Sequence, residues 1–541
     1  MNMYAKTKNW LSIGICITAS AFAQYAYTNT LTVPADFPTI QSAVNAAVDG
    51  DMILVAPGTY YENINISTTA VHLLSETGPE ATIIDGGGLA QVIRIEAVPS
   101  TTIEGFTIQN GNPGSAGWPA GVWIYSGLNI TIKNNIVRNN ACDSCVGLGI
   151  GLSGYRPGPV LIENNIIENN SGPRCGGGGI GSTTSAIDLQ IVNNTIRNNH
   201  CNLGGGIYLR STTSEVTISN NEIRSNSANL YGGGLWSLGV PLRMTQNLIA
   251  DNSADQGGGV YIDVENLIGI STNFTNNTVA NNDAVGGEEI YLRGDLGPYL
   301  NKTITLVNNS ITGDMGAVAF FCDFSSTPPI LQLSSNNIYS NTGAGYGGSC
   351  TDIYTGVDGN ISKEPEYLDD TNGDYQLDNA SPMIDAGNNS AIDIPINDLS
   401  GNPRIIDGDG SGIAIIDIGA YEKQVSSTVV VLIDIKPGND ENSINSRSNG
   451  QIPVAIITTG EFDALQVDPD SVLFGTSMTA KAHSQAHVED VDNDGDMDLQ
   501  LHFKTQETGI QCGDTEATLT GNTWGGTPIM GTDAVNTVGC K

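Results

Sequence analysis

The residues best suited to chemistry lie near the C-terminus, at alternate positions of one short stretch: Asp490, Asp492, Asp494, Asp496 and Asp498. Carboxylates at loop positions 1, 3, 5 and 9, with Gly495 at position 6, have the ligand spacing of a calcium loop. Because five adjacent carboxylates repel one another without a cation, we expect one structural calcium ion there. Its ligands would be the carboxylates of Asp490, Asp492, Asp494 and Asp498 and the backbone carbonyl of Asp496. The alternative is an acidic turn without a metal.

A second acidic group, weaker in pattern, comprises Asp407, Asp409, Ser411 and Asp417. Its oxygen-bearing side chains could also hold calcium, but a plain Gly-Asp turn explains the same residues equally well.

Three histidines, His483, His487 and His502, occur in the last part of the chain. Imidazoles are common metal ligands, so the three could meet at a metal ion. Since histidines spaced this loosely are more often surface residues, we interpret them as surface residues.

Catalytic motifs are sparse in this sequence. It contains no GxSxG elbow, no HExxH and no phosphate-binding loop. Hydrolysis by acid–base catalysis needs paired carboxylates, and elimination needs a base beside a group that neutralises a carboxylate of the substrate. The best candidates are Asp263, Arg293 and Arg210, and the alternative is a solvated, charged strand surface.

The elements that position these residues repeat along the chain every 25 to 30 residues. Each repeat has a glycine run before a short alternating strand, as in GGGIYLR (204–210), and an Asn-Asn bend, as in SNNEIRSN (219–226). A period of this length predicts a solenoid. Three short strands per repeat, with no helical periodicity, predict that each repeat is one coil of a parallel β-helix. Asparagine at the bends suits positive φ and hydrogen bonding between coils.

The repeats resemble those of secreted right-handed β-helix proteins, and right-handed crossovers are strongly preferred. The fold class is therefore predicted to be all-β: a right-handed parallel β-helix solenoid followed by a small antiparallel β-sandwich. The resemblance implies an architecture and carries no catalytic residues.

Alignment of the coils assigns alternate residues to the outer face of one strand. At one outward position of the aligned coils, aromatic side chains recur: Trp123, Tyr208, Trp236, Tyr261 and Tyr291. Gly151 and Gly181 occupy this position in the two coils between Trp123 and Tyr208. Rings in such a row could form a flat surface for sugar rings. Alternatively, they form a ladder that stiffens the sheet by pairing across strands.

Four segments are predicted along the chain. Residues 1–23 have the charged start, apolar run and Ala-x-Ala ending of a secretory signal. Residues 28–358 form the β-helix, and Ile40, Val44, Ala47 and Val48 lie on one face of a short N-terminal capping helix. This helical segment resembles the N-terminal cap of secreted β-helices.

The C-terminal segments lack the sequence pattern of the repeats. Residues 359–423 contain SPMIDAG, NPRIIDGDG and DIGAYE and resemble the choice-of-anchor Q module, which implies a C-terminal cap on the solenoid. After the linker QVSST, residues 429–541 are predicted to form the β-sandwich with the calcium loop. That sandwich resembles an uncharacterised domain appended to exported prokaryotic proteins.

Nine cysteines become eight once Cys16 leaves with the signal, an even number typical of disulfides in an exported protein. One coil period separates Cys322 from Cys350, and a similar spacing separates Cys175 from Cys201. We therefore predict the disulfides Cys322–Cys350 and, in the sandwich, Cys512–Cys540. Cys142, Cys145, Cys175 and Cys201 are expected to pair among themselves, and stack geometry favours Cys175–Cys201 with Cys142–Cys145; a zinc site of four cysteines is the alternative.

The net charge of −36, from 57 acidic and 21 basic residues, argues against nucleic acid as a partner. No apolar stretch of the mature protein has membrane-spanning length. We expect a secreted or cell-surface, non-catalytic protein whose partner is a polysaccharide or cell-surface glycan. The alternatives are a polysaccharide lyase or glycoside hydrolase acting on the same face, and a structural envelope protein.

Overall fold

The computed structural model describes residues 29–96, 98–154, 158–184, 188–210, 214–265, 272–285, 288–294, 303–313, 318–324, 328–341, 343–424, 428–439, 441–483, 486–524 and 527–540. The predicted signal, residues 1–23, lies outside them. The chain forms two compact units, residues 1–424 and 425–541, which divide within the predicted linker.

The first unit is a parallel β-helix built from three long sheets. The first sheet contains Thr30–Val33, Asp51–Val55, Val71–Ser75, Thr101–Glu104, Ile130–Lys133, Val160–Glu163, Leu189–Val192, Val216–Ser219, Leu242–Thr245, Thr272–Thr275, Thr303–Val307 and Ile330–Ser334. The second contains Gly58–Tyr61, Thr82–Asp85, Thr107–Gln109, Ile136–Arg138, Ile166–Glu168, Thr195–Arg197, Glu222–Arg224, Leu248–Ala250, Thr278–Ala280, Ser310–Gly313 and Asn337–Ser340. The third contains Ile64–Ile66, Ile93–Ile95, Val122–Ile124, Ile150–Leu152, Ile180–Ser182, Ile207–Arg210, Leu235–Leu238, Val260–Asp263, Glu288–Arg293, Val318–Asp323 and Tyr346–Gly348.

Every strand in these sheets pairs in parallel with its counterpart in the next coil. Ile207 aligns with Leu235, which aligns with Val260, as the repeat predicts. All three side chains are buried in one continuous core of aliphatic residues that fills the solenoid. The predicted fold class is therefore confirmed, and alternation along each strand decides which residues enter the core.

The predicted asparagine bends connect the coils. Asn193 has a φ of 56°, a left-handed conformation that turns the chain between the first and second sheets. The next residue, Asn194, is buried and donates to the carbonyls of Ile162 and Val192 and to Asn221 Oδ1 in the following coil, at 2.8–3.0 Å. The same contacts recur along a ladder comprising Asn135, Asn165, Asn194, Asn221, Asn247, Asn277, Asn309, Asn336 and Asn360.

A second ladder, at the bend after the second sheet, comprises Asn140, Asn170, Asn199, Asn226, Asn252 and Asn282. It ends on the buried carboxylate of Glu289, which accepts from Asn282 Nδ2 at 2.6 Å. Each ladder satisfies buried backbone groups that the bends remove from the sheets.

The N-terminal helix spans Ile40–Ala46. The hydroxyl of Thr39 accepts from the backbone of Ser42, a capping box that fixes its start. Ile40, Val44 and Ala47 are buried as predicted, whereas Val48 lies beyond the helix and is exposed. Val48 was therefore wrongly placed on the apolar face, because the helix stops before it.

The segment after the last coil contains an antiparallel pair, Tyr367–Asp369 and Asp374–Leu377, and a 3-10 turn at Asp370–Asn372. Ile361 extends the coil stack by pairing with Asn337. Beyond it, the segment folds back along the outer face of the second sheet, where Tyr375 Oη donates to Asp251 and Arg404 Nε donates to Gln246. The segment therefore covers a side of the solenoid, in addition to the expected end.

A four-stranded parallel sheet lies between the second and third sheets. Its strands are His200–Leu203, Ser227–Tyr231, Ser253–Ala254 and Asp283–Ala284. Three disulfides lie in the first unit, Cys142–Cys145, Cys175–Cys201 and Cys322–Cys350, and Cys512–Cys540 lies in the second. The two predicted pairs, Cys322–Cys350 and Cys512–Cys540, are confirmed, and the other four cysteines pair in the favoured arrangement.

The second unit contains two larger sheets and a short parallel pair. The five-stranded sheet comprises Val429–Val430, Pro528–Ala534, Glu516–Asn522, Leu473–Phe474 and Thr479–Ala480. The four-stranded sheet comprises Ile433–Ile435, Gln451–Ile456, Asp498–Lys504 and His487–Glu489, all antiparallel. Ser443–Ile444 pairs with Asn536–Thr537, and 3-10 turns lie at Ala464–Gln466 and Thr505–Glu507. One apolar core that includes Val454, Leu501 and Phe503 fills this unit.

Candidate functional site

The aromatic row forms on the third sheet in the predicted register, but its rings are buried. Tyr208 pairs with Trp236, and Tyr261 pairs with Tyr291. The ring centroids of Tyr208 and Trp236 lie 4.6 Å apart with planes inclined by 11°, and those of Tyr261 and Tyr291 lie 5.0 Å apart at 8°. The four residues are only 1–7% exposed. Strand spacing matches the stacking distance of rings, so neighbouring rings stack on one another and little of any ring is left to solvent.

Other parts of the chain cover the ring surfaces that these two stacked pairs leave open. Tyr231, from the four-stranded sheet, stacks on Tyr261 at 4.8 Å, and Phe321 stacks on Tyr291 at 5.1 Å. Gly176 lies against Tyr208 so closely that a Cβ there would be 2.9 Å from the ring. These four rings therefore form a covered ladder. The open sugar-stacking surface expected at Tyr208, Trp236, Tyr261 and Tyr291 is not formed.

The two glycines in the aromatic row do not leave the shallow step that their small size suggests. A Cβ at Gly151 would lie 2.2 Å from Pro119, and a Cβ at Gly181 would lie 2.4 Å from the backbone of Gly147. Loops pass directly over both positions. Glycine is needed there because backbone approaches backbone.

A different arrangement surrounds Trp123. Arg94, Glu96, Trp118, Trp123 and Tyr125 form a cluster that we call the Trp118 patch. The Trp118 and Trp123 rings stack with centroids 5.1 Å apart and planes inclined by 16°, and Tyr125 meets Trp123 edge-on at 5.4 Å. Trp123 is buried, whereas Trp118 is 47% exposed. One face of the Trp118 ring thus lies on Trp123, and nearly half of the residue remains accessible to solvent.

Arg94 gives the patch a positive charge beside the rings. It occupies the same register position as Trp123, one coil earlier. Its guanidinium carbon lies 4.7 Å from the Trp123 centroid and 5.7 Å from that of Tyr125, within cation–π range. Nη2 is 2.6 Å from Oε2 of Glu96, and both side chains are partly exposed. Nε is buried and donates to no partner within the described residues.

Sequence reasoning missed Trp118 and Arg94. Extending the coil alignment back to Ile93 would have placed Arg94 beside Trp123. Trp118 lies in the loop GNPGSAGWPAG, which has no repeat signal. Trp123 itself is held by its indole N–H, which donates to Ser153 Oγ at 3.0 Å.

The structure brings two of the three candidate catalytic residues together. Asp263 pairs in register with Arg293, and Arg293 Nη1 lies 4.0 Å from Asp263 Oδ2 and donates to Tyr261 Oη at 3.4 Å. Burial raises the pKa of Asp263, and burial also raises the pKa of Tyr261 to about 12. Asp323, missed in the sequence, lies on the other side of Arg293 in the next coil.

Arg210 is not part of this group. It pairs with Leu238, which in turn pairs with Asp263, so Arg210 lies two strands from that carboxylate. It is also exposed. The three candidates therefore do not form one catalytic cluster.

The predicted calcium loop connects the strands His487–Glu489 and Asp498–Lys504, a β-hairpin as expected. Carboxylate oxygens of Asp490, Asp492 and Asp494 lie within 4.8 Å of one another. Asp498 is fully buried and accepts the backbone N–H groups of Thr458 and Val491, both at 2.8 Å. Its carboxylate therefore closes the base of the loop.

The remaining loop aspartate, Asp496, donates its backbone N–H to Asp494 at 3.0 Å. Desolvation and the neighbouring Asp494 raise the pKa of Asp496 to about 6. One oxygen of Asp490 and one of Asp496 are buried and accept from no described residue. Both oxygens of Asp498 already accept one backbone N–H group each, whereas these two oxygens of Asp490 and Asp496 have no such contact within the described residues.

The second acidic group assembles differently from the prediction. Asp407 and Asp409 meet Asp385, while Asp417 is fully buried and accepts the backbone N–H groups of Asp385 and Lys423 at 2.7 and 2.6 Å. Burial raises the pKa of Asp417 to about 7. Asp417 therefore organises backbone turns, and Asp385 takes its place beside Asp407 and Asp409.

The three histidines of the second unit come together. The ring centroids of His483, His487 and His502 are 5.3–5.7 Å apart, and one ring nitrogen of each lies within 4.8 Å of the others. The interpretation as surface residues holds for exposed His483, whereas His487 and His502 are partly buried. Strand pairing, which the sequence spacing does not reveal, joins them.

The three parallel sheets define a right-handed type of parallel β-helix protein. A family described as "Right handed beta helix region" matches residues 61–239 and again residues 120–295. No curated protein matches the chain. Among the described residues, no helix is both long and apolar enough to cross a membrane.

Proposed function

We propose that this protein is an exported, carbohydrate-binding β-helix whose sugar site is the Trp118 patch. The observation that carries the proposal is the half-exposed Trp118 ring, held in place by stacking on buried Trp123. A fixed aromatic face is suited to the apolar face of a sugar ring and loses little side-chain entropy on binding.

Polar groups beside the ring complement the hydroxyls of a sugar. Arg94 and Glu96 lie next to the aromatic pair, are partly exposed, and hold each other at 2.6 Å. Together they offer donors and acceptors in fixed positions, as carbohydrate recognition requires. The patch lies on the outer face of the third sheet, beside the adjacent strands Ile93–Ile95 and Val122–Ile124.

Export is part of this proposal. Four disulfides fit an oxidising compartment, and the first 23 residues have the composition of a secretory signal. The charge of −36 makes neutral glycans better partners than polyanionic ones, except where a cation bridges the two.

Binding rather than catalysis is proposed because the carboxylate within the patch, Glu96, is already engaged by Arg94. A glycosidase places two carboxylates on either side of the scissile bond. The direct test is a glycan array probed with the full-length protein, run beside reducing-sugar and unsaturated-product assays on every glycan bound. Binding without product supports the proposal, and absence of binding to any glycan contradicts it.

A lyase or hydrolase is the second candidate function, and one observation favours it. Asp263, Arg293 and Asp323 form a row across three coils, with Tyr261 Oη bonded to Arg293. The cation of Arg293 thus lies between two carboxylates and beside a phenol. Such a set of groups can neutralise a uronate and transfer protons. Product formation that is lost in Arg293→Ala and retained in Trp118→Ala would establish this function.

We also propose that the loop from Asp490 to Asp498 binds one structural calcium ion in the second unit. Support comes from the convergence of Asp490, Asp492 and Asp494 and from one buried oxygen each of Asp490 and Asp496 that has no hydrogen-bond partner in the described part of the chain. The loop is exposed at its tip, so the ion would stabilise the hairpin rather than take part in sugar chemistry.

A further inference from the structure

The antiparallel pair His487–Glu489 and Asp498–Lys504 places two histidines on one face of a sheet. His487 lies opposite Gln500, and His502 follows two residues further along the same strand. Leu499, Leu501 and Phe503 point into the core, so Gln500 and His502 point to the opposite face. His487 and His502 are therefore diagonal neighbours on that outer face.

The third histidine comes from the segment that precedes this pair. Ala482 donates its backbone N–H to the carbonyl of His502 at 2.7 Å, which fixes His483 beside the sheet. The ring centroids are separated by 5.7 Å for His483 and His487, 5.3 Å for His483 and His502, and 5.4 Å for His487 and His502. The segment before the hairpin and the two strands of the hairpin thus deliver one imidazole each.

We propose that His483, His487 and His502 form a binding site for a divalent transition metal, with Zn²⁺ as the expected ion. One nitrogen from each ring lies within 4.8 Å of the other two. Around a zinc ion with bonds of about 2.0–2.1 Å, two tetrahedral donors are roughly 3.4 Å apart. Small side-chain rotations bring the three nitrogens to that separation.

The environment of the His502 side chain supports a bound ligand. Its Nδ1 is buried among the rings and has no hydrogen-bond partner within the described residues. A buried polar nitrogen without a partner is costly, and a metal ion would satisfy it.

The donor set separates this site from the calcium loop a few residues away. Imidazole nitrogen suits zinc, copper and nickel, whereas calcium takes oxygen ligands. His483 is exposed, so the fourth coordination position faces solvent. Three histidines with one open position can hold a water molecule or an anionic group of a partner.

The test uses the full-length, disulfide-intact protein without a polyhistidine tag or added thiol, first dialysed against a chelator. Titration with Zn²⁺ should give one bound ion per chain, and excess Ca²⁺ should not displace it. Co²⁺ should bind at the same stoichiometry, with the visible absorption typical of four-coordinate cobalt.

Variants decide whether the histidines hold the ion. His487→Gln combined with His502→Gln should weaken Zn²⁺ binding at least a hundredfold, and exposed His483→Gln should weaken it at least tenfold without affecting folding. His200→Gln, in the first unit, is the histidine control, and Asp492→Asn with Asp494→Asn is the control for the acidic loop. Both controls should bind Zn²⁺ as wild type does. Absence of stoichiometric Zn²⁺ binding in wild type, or unchanged binding in His483→Gln, would overturn the proposal.

Discussion

Tyr261 and Tyr291 stack with ring centroids 5.0 Å apart and planes inclined by 8°, on adjacent strands of the third sheet. Tyr231 covers the other side of Tyr261, so this ring lies between two others and is 1% exposed. The stack therefore contributes to stability and offers no face to a ligand.

This relationship predicts the effect of removing the Tyr261 ring. Tyr261→Ala leaves a cavity between two stacked rings and should lower the free energy of unfolding by about 3–5 kcal/mol. Tyr261→Phe keeps the stack and loses only the contact with Arg293, so it should cost about 1 kcal/mol. Chemical denaturation of both variants measures the difference. Equal stability of Tyr261→Ala and wild type would show that the ladder is not structural.

The asparagine ladder predicts a sharp contrast between two adjacent residues. Asn194→Ala removes contacts to Ile162, Val192 and Asn221 and leaves buried backbone groups unpaired, so it should cost about 3 kcal/mol or more. Asn193 is exposed with a φ of 56°, and Asn193→Gly should change stability by less than about 0.5 kcal/mol. Thermal melts of the two variants compare them directly, and similar melting temperatures would contradict the proposed role of the ladder.

The lowered pKa of Glu104 predicts that acid destabilises the first unit in part through this carboxylate. Its hydrogen bond with His72, assisted by Lys133 and Asn134, lowers the pKa of Glu104 from 4.5 to about 2. A lowered folded-state pKa stabilises the fold above pH 4.5, and that stabilisation is lost as the pH falls toward 2. Melting temperatures of wild type and Glu104→Gln should therefore differ most above pH 5 (about half a unit above the unfolded pKa) and converge near pH 2. A difference that is constant with pH would contradict this assignment.

The calcium proposal predicts a metal-dependent melt of the second unit. At a free calcium concentration of about 100 times Kd, binding stabilises the folded state by about 2.7 kcal/mol. Chelator should lower the melting temperature, and calcium should restore it. Asp492→Asn combined with Asp494→Asn should abolish the response, whereas His483→Gln should retain it. A wild-type melt that does not change with chelator would exclude a structural ion.

Much of the fold was predictable because the same short sequence pattern repeats once in every coil. The repeat fixes the inward residues, such as Ile207 and Leu235, and asparagine marks each bend. The disulfides followed because cysteines one period apart must lie in adjacent coils. The sequence pattern of a single repeat therefore determines which residues of each coil are buried and where the chain bends.

The candidate sites were less predictable because they depend on what covers each strand. Alternation placed Tyr261 outward correctly, but only the structure shows Tyr231 lying over it. Trp118 comes from a loop without periodicity, and the histidines meet through strand pairing.

One covering segment did leave a signal in the sequence. Outward positions of the second sheet change from Glu222 and Arg224 to Leu248 and Ala250, and the C-terminal segment packs where these apolar residues begin. The loss of charge there marks a face that must be covered.

The central claim is that the Trp118 patch binds a glycan, and one titration tests it most directly. Wild type, Trp118→Ala and Trp524→Ala are titrated by calorimetry with the glycan that binds best on the array. Trp524 is 69% exposed and lies in the other unit, so it is a matched control for the loss of a surface indole. A lost stacking contact of about 1.4 kcal/mol weakens Kd about tenfold, so Trp118→Ala should bind at least that much more weakly while Trp524→Ala binds as wild type. Equal affinity of wild type and Trp118→Ala would contradict the account.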